Sequence, residues 1–135
     1  MIMRGPSSLV LVVDDDADIR ETISLVLGRH GYVVATAADG AEALQRLRTG
    51  ERHPCLILLD LMMPGMDGFA LWQALGERGL TAIPVVVLTG AGFQVAARAE
   101  ALRLTVLRKP VALHELLDTV RRYCPSGAPP SAALQ

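Results

Sequence analysis

The sequence predicts an α/β domain: an open, parallel, doubly wound sheet of five strands with helices on both faces. Three observations carry this. Short apolar runs rich in branched residues recur at Leu9–Val13, Leu56–Leu59 and Val85–Leu88, as strands covered on both faces require. A stretch at helical spacing follows each run. Charged or hydroxyl side chains stand just past the runs, and such alternation favours right-handed crossovers that point every strand the same way.

The elements can be justified in chain order. The first strand ends in Asp14-Asp15-Asp16, and the first helix carries Ile19, Ile23, Val26 and Leu27 at core spacing. Asp16 or Asp18 can cap that helix, with Glu21 placed for a capping box, and Gly31 is a natural C′ residue. Tyr32–Thr36 reads as a mixed edge strand, followed by a helix with Ala43, Leu44 and Leu47. The third run ends in Asp60, where a core strand should stay apolar, and Pro64, Gly65 and Gly68 turn the chain at once. The next helix places Phe69, Trp72 and Leu75 on its core face. The fourth run ends in Thr89, before Gly90, and its helix carries Val95, Ala99 and Leu102. Leu104–Leu107 predicts the other edge strand, with Lys109-Pro110 beyond it and a last helix on Leu113, Leu116, Leu117 and Val120.

At 135 residues, with 51% apolar and 20% charged, the chain fits one domain, long enough to bury roughly two thirds of its unfolded surface. A net charge of −1 favours neither a nucleic-acid nor a membrane-surface role on global electrostatics. Residues 1–7 and 124–135 are rich in small residues, Pro, Gly and Ser, and predict a flexible N-terminus and a disordered tail or linker around a domain at 8–123. Cys55 and Cys124 show neither metal-ligand spacing nor a disulfide framework and suit a reducing, cytoplasmic setting. No targeting segment is visible.

Ligands of such sheets bind beyond the carboxyl ends of the strands, where strand order reverses. Asp14, Asp15, Asp60, Thr89 and Lys109 therefore converge on one rim. Crowded carboxylates repel unless a cation neutralises them, and hard oxygen ligands suit Mg²⁺. A hydroxyl and an ammonium opposite them match the oxygens of a phosphoryl group, and a carboxylate between can attack phosphorus. Asp60 alone could be a turn cap and Lys109 alone a snorkelling surface lysine, but neither reading explains the cluster. Met62, Met63 and Met66 read as soft packing under the loop, and His30, His53 and His114 as ordinary surface or boundary histidines.

The strings VLVVDDDADIRETI, LILLDLMMPGMDG, VVVLTG and VLRKPV, in this order, resemble the receiver domain of bacterial two-component response regulators over about Ser8 to Tyr123. The resemblance implies a flavodoxin-like fold with strand order 2-1-3-4-5. It implies Asp60 as phosphoacceptor, and Asp14, Asp15, Asp60 and the Met62 carbonyl as holders of Mg²⁺, with Mn²⁺ as a substitute and Asp14 acting partly through water. Thr89, Lys109 and the main-chain N–H groups of Met62 and Gly90 would contact the phosphoryl oxygens, and Lys109-Pro110 would be cis.

By the same resemblance the partners are a histidine kinase or histidine phosphotransfer protein and a downstream protein target. Neither direct nucleic-acid contact nor membrane insertion is expected, and the chain would be no enzyme beyond its own phosphorylation and dephosphorylation. The face of helix four, strand five and helix five, with Arg103, Arg108, Arg121 and Arg122, is the expected output and homodimer surface. A helix-one face with Ile19 and Ile23 is a second docking candidate, although core burial is the plainer assignment. Val106 stands where the family usually has a switching aromatic ring, so output must work differently. A receiver excised from a hybrid histidine kinase or phosphorelay is one alternative. A small Mg²⁺-dependent phosphohydrolase of the haloacid-dehalogenase type is another, although Met62 replaces the second carboxylate it needs.

Overall fold

The computed structural model describes residues 8–49, 53–61, 68–80, 82–90 and 93–125, with the backbone alone for 93–96. Five strands, β1 (Leu9–Val13), β2 (Val33–Ala37), β3 (Leu56–Asp60), β4 (Val85–Thr89) and β5 (Thr105–Arg108), form one parallel sheet in the order β2-β1-β3-β4-β5. They alternate with α1 (Ala17–Arg29), α2 (Gly40–Thr49), α3 (Gly68–Glu77), α4 (Phe93–Ala101) and α5 (Leu113–Tyr123). This is the flavodoxin-like, doubly wound fold that the sequence predicts, with β1 at its predicted bounds and the other four strands ending a residue later than predicted.

Period-two alternation sorts the strand residues into two cores. Val10, Val12, Leu56, Leu58, Val86, Leu88 and Leu107 face α1 and α5, where Ile23, Leu27, Leu116 and Val120 pack on them. Leu11, Val13, Ile57 and Leu59 face Leu44, Leu47, Leu71 and Leu75 of α2 and α3, while Leu61, Val87 and Ala99 make a smaller cluster under α4. The central strand β3 is buried along its whole length, Asp60 included.

Helix ends follow local chemistry. The Asp16 side chain accepts from the N–H groups of Asp18 and Ile19, so Asp16 and not Asp18 is the cap of α1. Gly31 takes φ 92° just past the end of α1. Gly68 opens α3 so close behind β3 that an added Cβ would lie 2.6 Å from the Leu61 Cα and 2.7 Å from the Asp60 carbonyl oxygen.

Four expectations change. The core face of α3 is Gly68, Leu71 and Leu75, spaced three and four residues apart, with Phe69 and Trp72 half-buried at its flank. Phe69 packs against the Leu61, Val87 and Ala99 cluster, and its ring receives the Arg98 guanidinium of α4 at 3.9 Å from its centroid. Leu102 lies past the end of α4 in an exposed turn with Arg103 at φ 62°. Tyr32 precedes β2 and is buried in the α1/α5 core, where burial raises its pKa against the opposing charge of Arg121. Cys55 and Cys124, read from sequence as separate thiols, form a disulfide across 69 residues, their Cα atoms 5.6 Å apart. Cys55 immediately precedes β3 and Cys124 immediately follows α5, and an antiparallel return of α5 across the sheet puts both at the same edge.

Gly68→Ala should lower stability by about 1–3 kcal/mol in urea denaturation although alanine favours helix, because its Cβ meets backbone. A neutral or stabilising result would contradict that packing. Leu58→Ala, at the centre of the buried strand, should cost about 2–5 kcal/mol in the same assay.

Candidate functional site

The site residues occupy the next same-facing positions past the α1/α5 core. Val12 leads to Asp14, Leu58 to Asp60 and Leu107 to Lys109. Val12 pairs with Leu58, and Asp60 with Leu88, which pairs with Leu107, so these ends stand side by side. Thr89 follows Val87 at the end of β4 and is 1% exposed. The Thr89 carbonyl accepts a 2.9 Å hydrogen bond from the Lys109 N–H. A Cβ on Gly90 would stand 3.6 Å from the Lys109 Cβ, so its backbone lies against that side chain. The Lys109-Pro110 peptide is cis.

Asp14, Asp15 and Asp60 each offer a carboxylate oxygen, and these oxygens lie within 4.8 Å of one another. Asp14 is fully buried and Asp60 4% exposed, whereas Asp15 is open to solvent. The Lys109 Nζ sits 2.7 Å from Asp14 Oδ2 and 3.4 Å from Asp60 Oδ2. Burial presses the lysine toward its neutral form, but the hydrogen bond to Asp14 and the charges of Asp60 and Asp14 outweigh it, leaving its pKa above the ordinary lysine value. The ammonium form is therefore fixed at neutral pH.

Smaller contacts hold Asp14 in place. Its N–H donates to the Ala37 carbonyl, extending the β1–β2 ladder past β1. Its Oδ1 accepts from the Asp16 N–H at 2.9 Å, and its carbonyl accepts from Arg20 Nη1 at 2.6 Å. Oδ2 faces the Lys109 ammonium at 2.7 Å. Sequence reasoning missed Arg20, whose place one turn into α1 beneath the triple aspartate was the available signal. It also assigned Lys109 to a phosphoryl group without its contact to Asp14.

Three carboxylates around one ammonium, with the Arg20 guanidinium at the rim, leave excess negative charge in a shallow hollow. The donors are all hard carboxylate oxygens, crowded within 4.8 Å of one another, and this set fits Mg²⁺ or Mn²⁺. Met62 lies outside the described residues, as do Met63 and Met66. His53 and His114 are exposed, and His30 Nδ1 contacts the Val26 carbonyl, all away from these carboxylates in the chain.

Comparison with known proteins agrees with this geometry. Residues 10–121 match the response regulator receiver domain family. The probable transcriptional regulator ycf27 of Cyanophora paradoxa is 41% identical over 115 residues, covering 83% of this chain and 46% of its own. The transcriptional regulatory protein AfsQ1 of Streptomyces coelicolor is 46% identical over 82 residues, covering 61% and 34%. This chain thus spans about half or less of these curated relatives. Among solved structures, a response regulator receiver protein from Pseudomonas putida superposes with TM-score 0.80 at 29% identity, covering 89% of this chain and 99% of that one. The Vibrio cholerae chemotaxis protein CheY4 gives TM-score 0.75 at 33% identity, covering 87% and 98%. By sequence match, strand order and the composition of its carboxylate rim, this chain belongs to the response regulator receiver domain family.

Proposed function

We propose that this domain takes a phosphoryl group from a partner's phosphohistidine onto Asp60 and signals through protein contacts. The observation that carries the proposal is the rim itself: Asp60 lies among the carboxylates of Asp14 and Asp15, with Lys109 bridging Asp14 and Asp60. An Asp60 oxygen attacks phosphorus, an acyl phosphate bond forms, and the P–N bond breaks with its electron pair leaving on the imidazole. Asp14, Asp15, Asp60 and the Met62 carbonyl would hold Mg²⁺, which neutralises charge on the phosphoryl oxygens when bound. Lys109, already 3.4 Å from Asp60, would pair with one phosphoryl oxygen, and the Thr89 hydroxyl and the Met62 and Gly90 N–H groups would take others. Partial loss of Asp60 as a partner for Lys109 would be offset by its Asp14 contact, which keeps the ammonium in place.

A groove of about 590 Å³ opens beside this rim between α1 and α5, walled by Ile19, Val26, Val111, Leu113 and Leu116. Of the two helix-one candidates, Ile23 is buried and Ile19 half-buried, so Ile19 is the one with surface to meet a kinase or phosphotransfer protein. Arg103, Arg108, Arg121 and Arg122, after α4, on β5 and on α5, are exposed and are proposed as the output or homodimer surface. Val106 packs with Val87, Leu61 and Ala99 beneath α4. A displacement of Thr89 would reach α4 through that layer, without a ring to swing.

The relatives are named as regulators of transcription, which favours a response regulator over a hybrid kinase as the parent of this domain. DNA binding in a longer protein is compatible with that reading, and freedom from nucleic-acid contact is proposed for the receiver alone. No helix of the described residues is long and apolar enough to cross a membrane. A cytoplasmic setting is part of this proposal, in keeping with the receiver family. The haloacid-dehalogenase alternative gains no support from the family match.

Incubated with Mg²⁺ and acetyl phosphate or a phosphorylated kinase, the wild-type protein should gain one phosphoryl group by intact mass, and Asp60→Asn none. Equal adducts on both would show that Asp60 is misassigned. Lys109→Met should abolish stable signalling output and, without Mg²⁺, destabilise the fold by about 3 kcal/mol, because Asp14 is left buried without its counter-charge. Added Mg²⁺ should restore most of that stability, read as a thermal shift.

A further inference from the structure

We infer that Cys55 and Cys124 are a reversible thiol–disulfide site, a modification point that locks the end of α5 to the start of β3. The inference rests on the proposed cytoplasmic receiver function, because in a reducing compartment a disulfide is usually transient and redox-sensing. The site lies at the opposite edge of the sheet from Asp60, since Cys55 precedes β3 and Asp60 ends it.

The backbone accommodates both redox forms. The Cα–Cα separation of 5.6 Å falls at the common value for disulfides, so oxidation needs no backbone movement. In the reduced form the Cys55 sulfur, 3.2 Å from the Leu9 carbonyl oxygen, has an acceptor for its thiol proton. The Cys55 N–H is held at 2.8 Å by the same carbonyl, which fixes that side of the pair in either state. Cys124 is fully buried in the α1/α5 core and behaves there as a small apolar side chain when reduced.

The two positions differ in access, which sets the order of events. Cys55 is half-buried and Cys124 is not exposed at all. The Cys55 thiolate attacks one sulfur of a low-molecular-weight disulfide such as glutathione disulfide, whose S–S bond breaks and releases one thiol. Cys124, just past the last turn of α5, then attacks the Cys55 sulfur of the mixed disulfide and expels the second thiol. Two electrons pass from the protein to the small disulfide, and the two protein thiol protons end, through solvent, on the two released thiols.

The consequence falls on α5 and the chain that follows it. Cys124 is the residue at which the chain leaves the domain core, and its neighbour Tyr123 is joined to β5 by a 3.1 Å hydrogen bond between its hydroxyl and Thr105. Oxidation adds a covalent tie there, closing a loop of 69 residues and fixing the direction in which Pro125 departs. The reduced form leaves the last turn of α5 to non-covalent contacts, among them packing, the Cys124 N–H bond to the Val120 carbonyl and the Tyr123 contact.

The test uses the whole chain in buffers of graded reduced-to-oxidised glutathione ratio, quenched with N-ethylmaleimide and read by intact mass, with peptide mapping of the bond. A single reversible transition between a form carrying two maleimide groups and a form carrying none, with Cys55 mapped to Cys124, supports the site. The oxidised form should also melt higher by roughly 10 °C or more, from the constraint on the unfolded chain. Glutathione adducts or disulfide-linked dimers without the internal bond overturn it, as does a bond that glutathione cannot reduce in the folded protein. Cys55→Ser, which spares the buried Cys124, should abolish the melting difference between the two buffers, and persistence of that difference overturns the assignment. Phosphoryl uptake from acetyl phosphate, followed in both redox forms, separates the two readings. Uptake without a reversible bond overturns the thiol site alone, and a reversible bond without uptake supports the thiol site while the receiver function fails.

Discussion

A carboxylate buried at the end of a β-strand is the constraint around which this domain is organised. Asp14 has no exposed surface, and a buried charge is tolerated only when another charge and hydrogen bonds answer it. Lys109 answers from the far side of the sheet at 2.7 Å, Asp16 from the next turn, and Asp60 shares the same ammonium. The strand order β2-β1-β3-β4-β5 makes this possible, because it sets β1 beside β3 and carries Lys109 back on β5 toward both. The arrangement remains negative overall, which suits a cation and, through it, an anionic group.

Rigidity at the rim comes from the core below it. Asp14 and Asp60 each continue a row of fully buried aliphatic side chains facing α1 and α5, and Lys109 follows buried Leu107 on the same side, so their directions are set by the same pleat that builds the core. Gly68 lets α3 begin directly behind Asp60, with its N–H on the Leu61 carbonyl at 3.1 Å. The nucleophile candidate thus stands on a buried strand closed off by a helix start rather than on a loose loop, as accurate placement requires.

Much of this was legible in the sequence, for identifiable reasons. Uninterrupted branched runs such as Leu56–Leu59 belong to doubly covered strands, and Asp14, Asp60, Thr89 and Lys109 were found because polar groups at the ends of such runs break the pattern that the rest obeys. Asp16 was ambiguous with Asp18 because either can cap, and the actual bond goes to the residue with extended backbone, φ −84° and ψ 112°. Phe69, Trp72 and Leu75 share a helical spacing, but Leu71 and Leu75 give a second one through the same turns, and that is the face the sheet buries, with Phe69 and Trp72 half-buried beside it. The Cys55–Cys124 pair was missed since spacing along the chain says little about contacts between a strand start and a distant helix end. The contact of Lys109 with Asp14 likewise depends on the sheet order, which no local string contains.

The direct measurement of the central claim is the calorimetric titration of the unphosphorylated protein with Mg²⁺, for wild type and for Asp15→Asn, a change at an exposed position that leaves the buried pair intact. The account predicts one Mg²⁺ bound per wild-type chain and an affinity at least about tenfold weaker for the variant, a difference of ~1.4 kcal/mol. Equal affinities, or no Mg²⁺ bound by the folded wild type, would contradict the claim that the excess charge of this rim is built to hold a divalent cation.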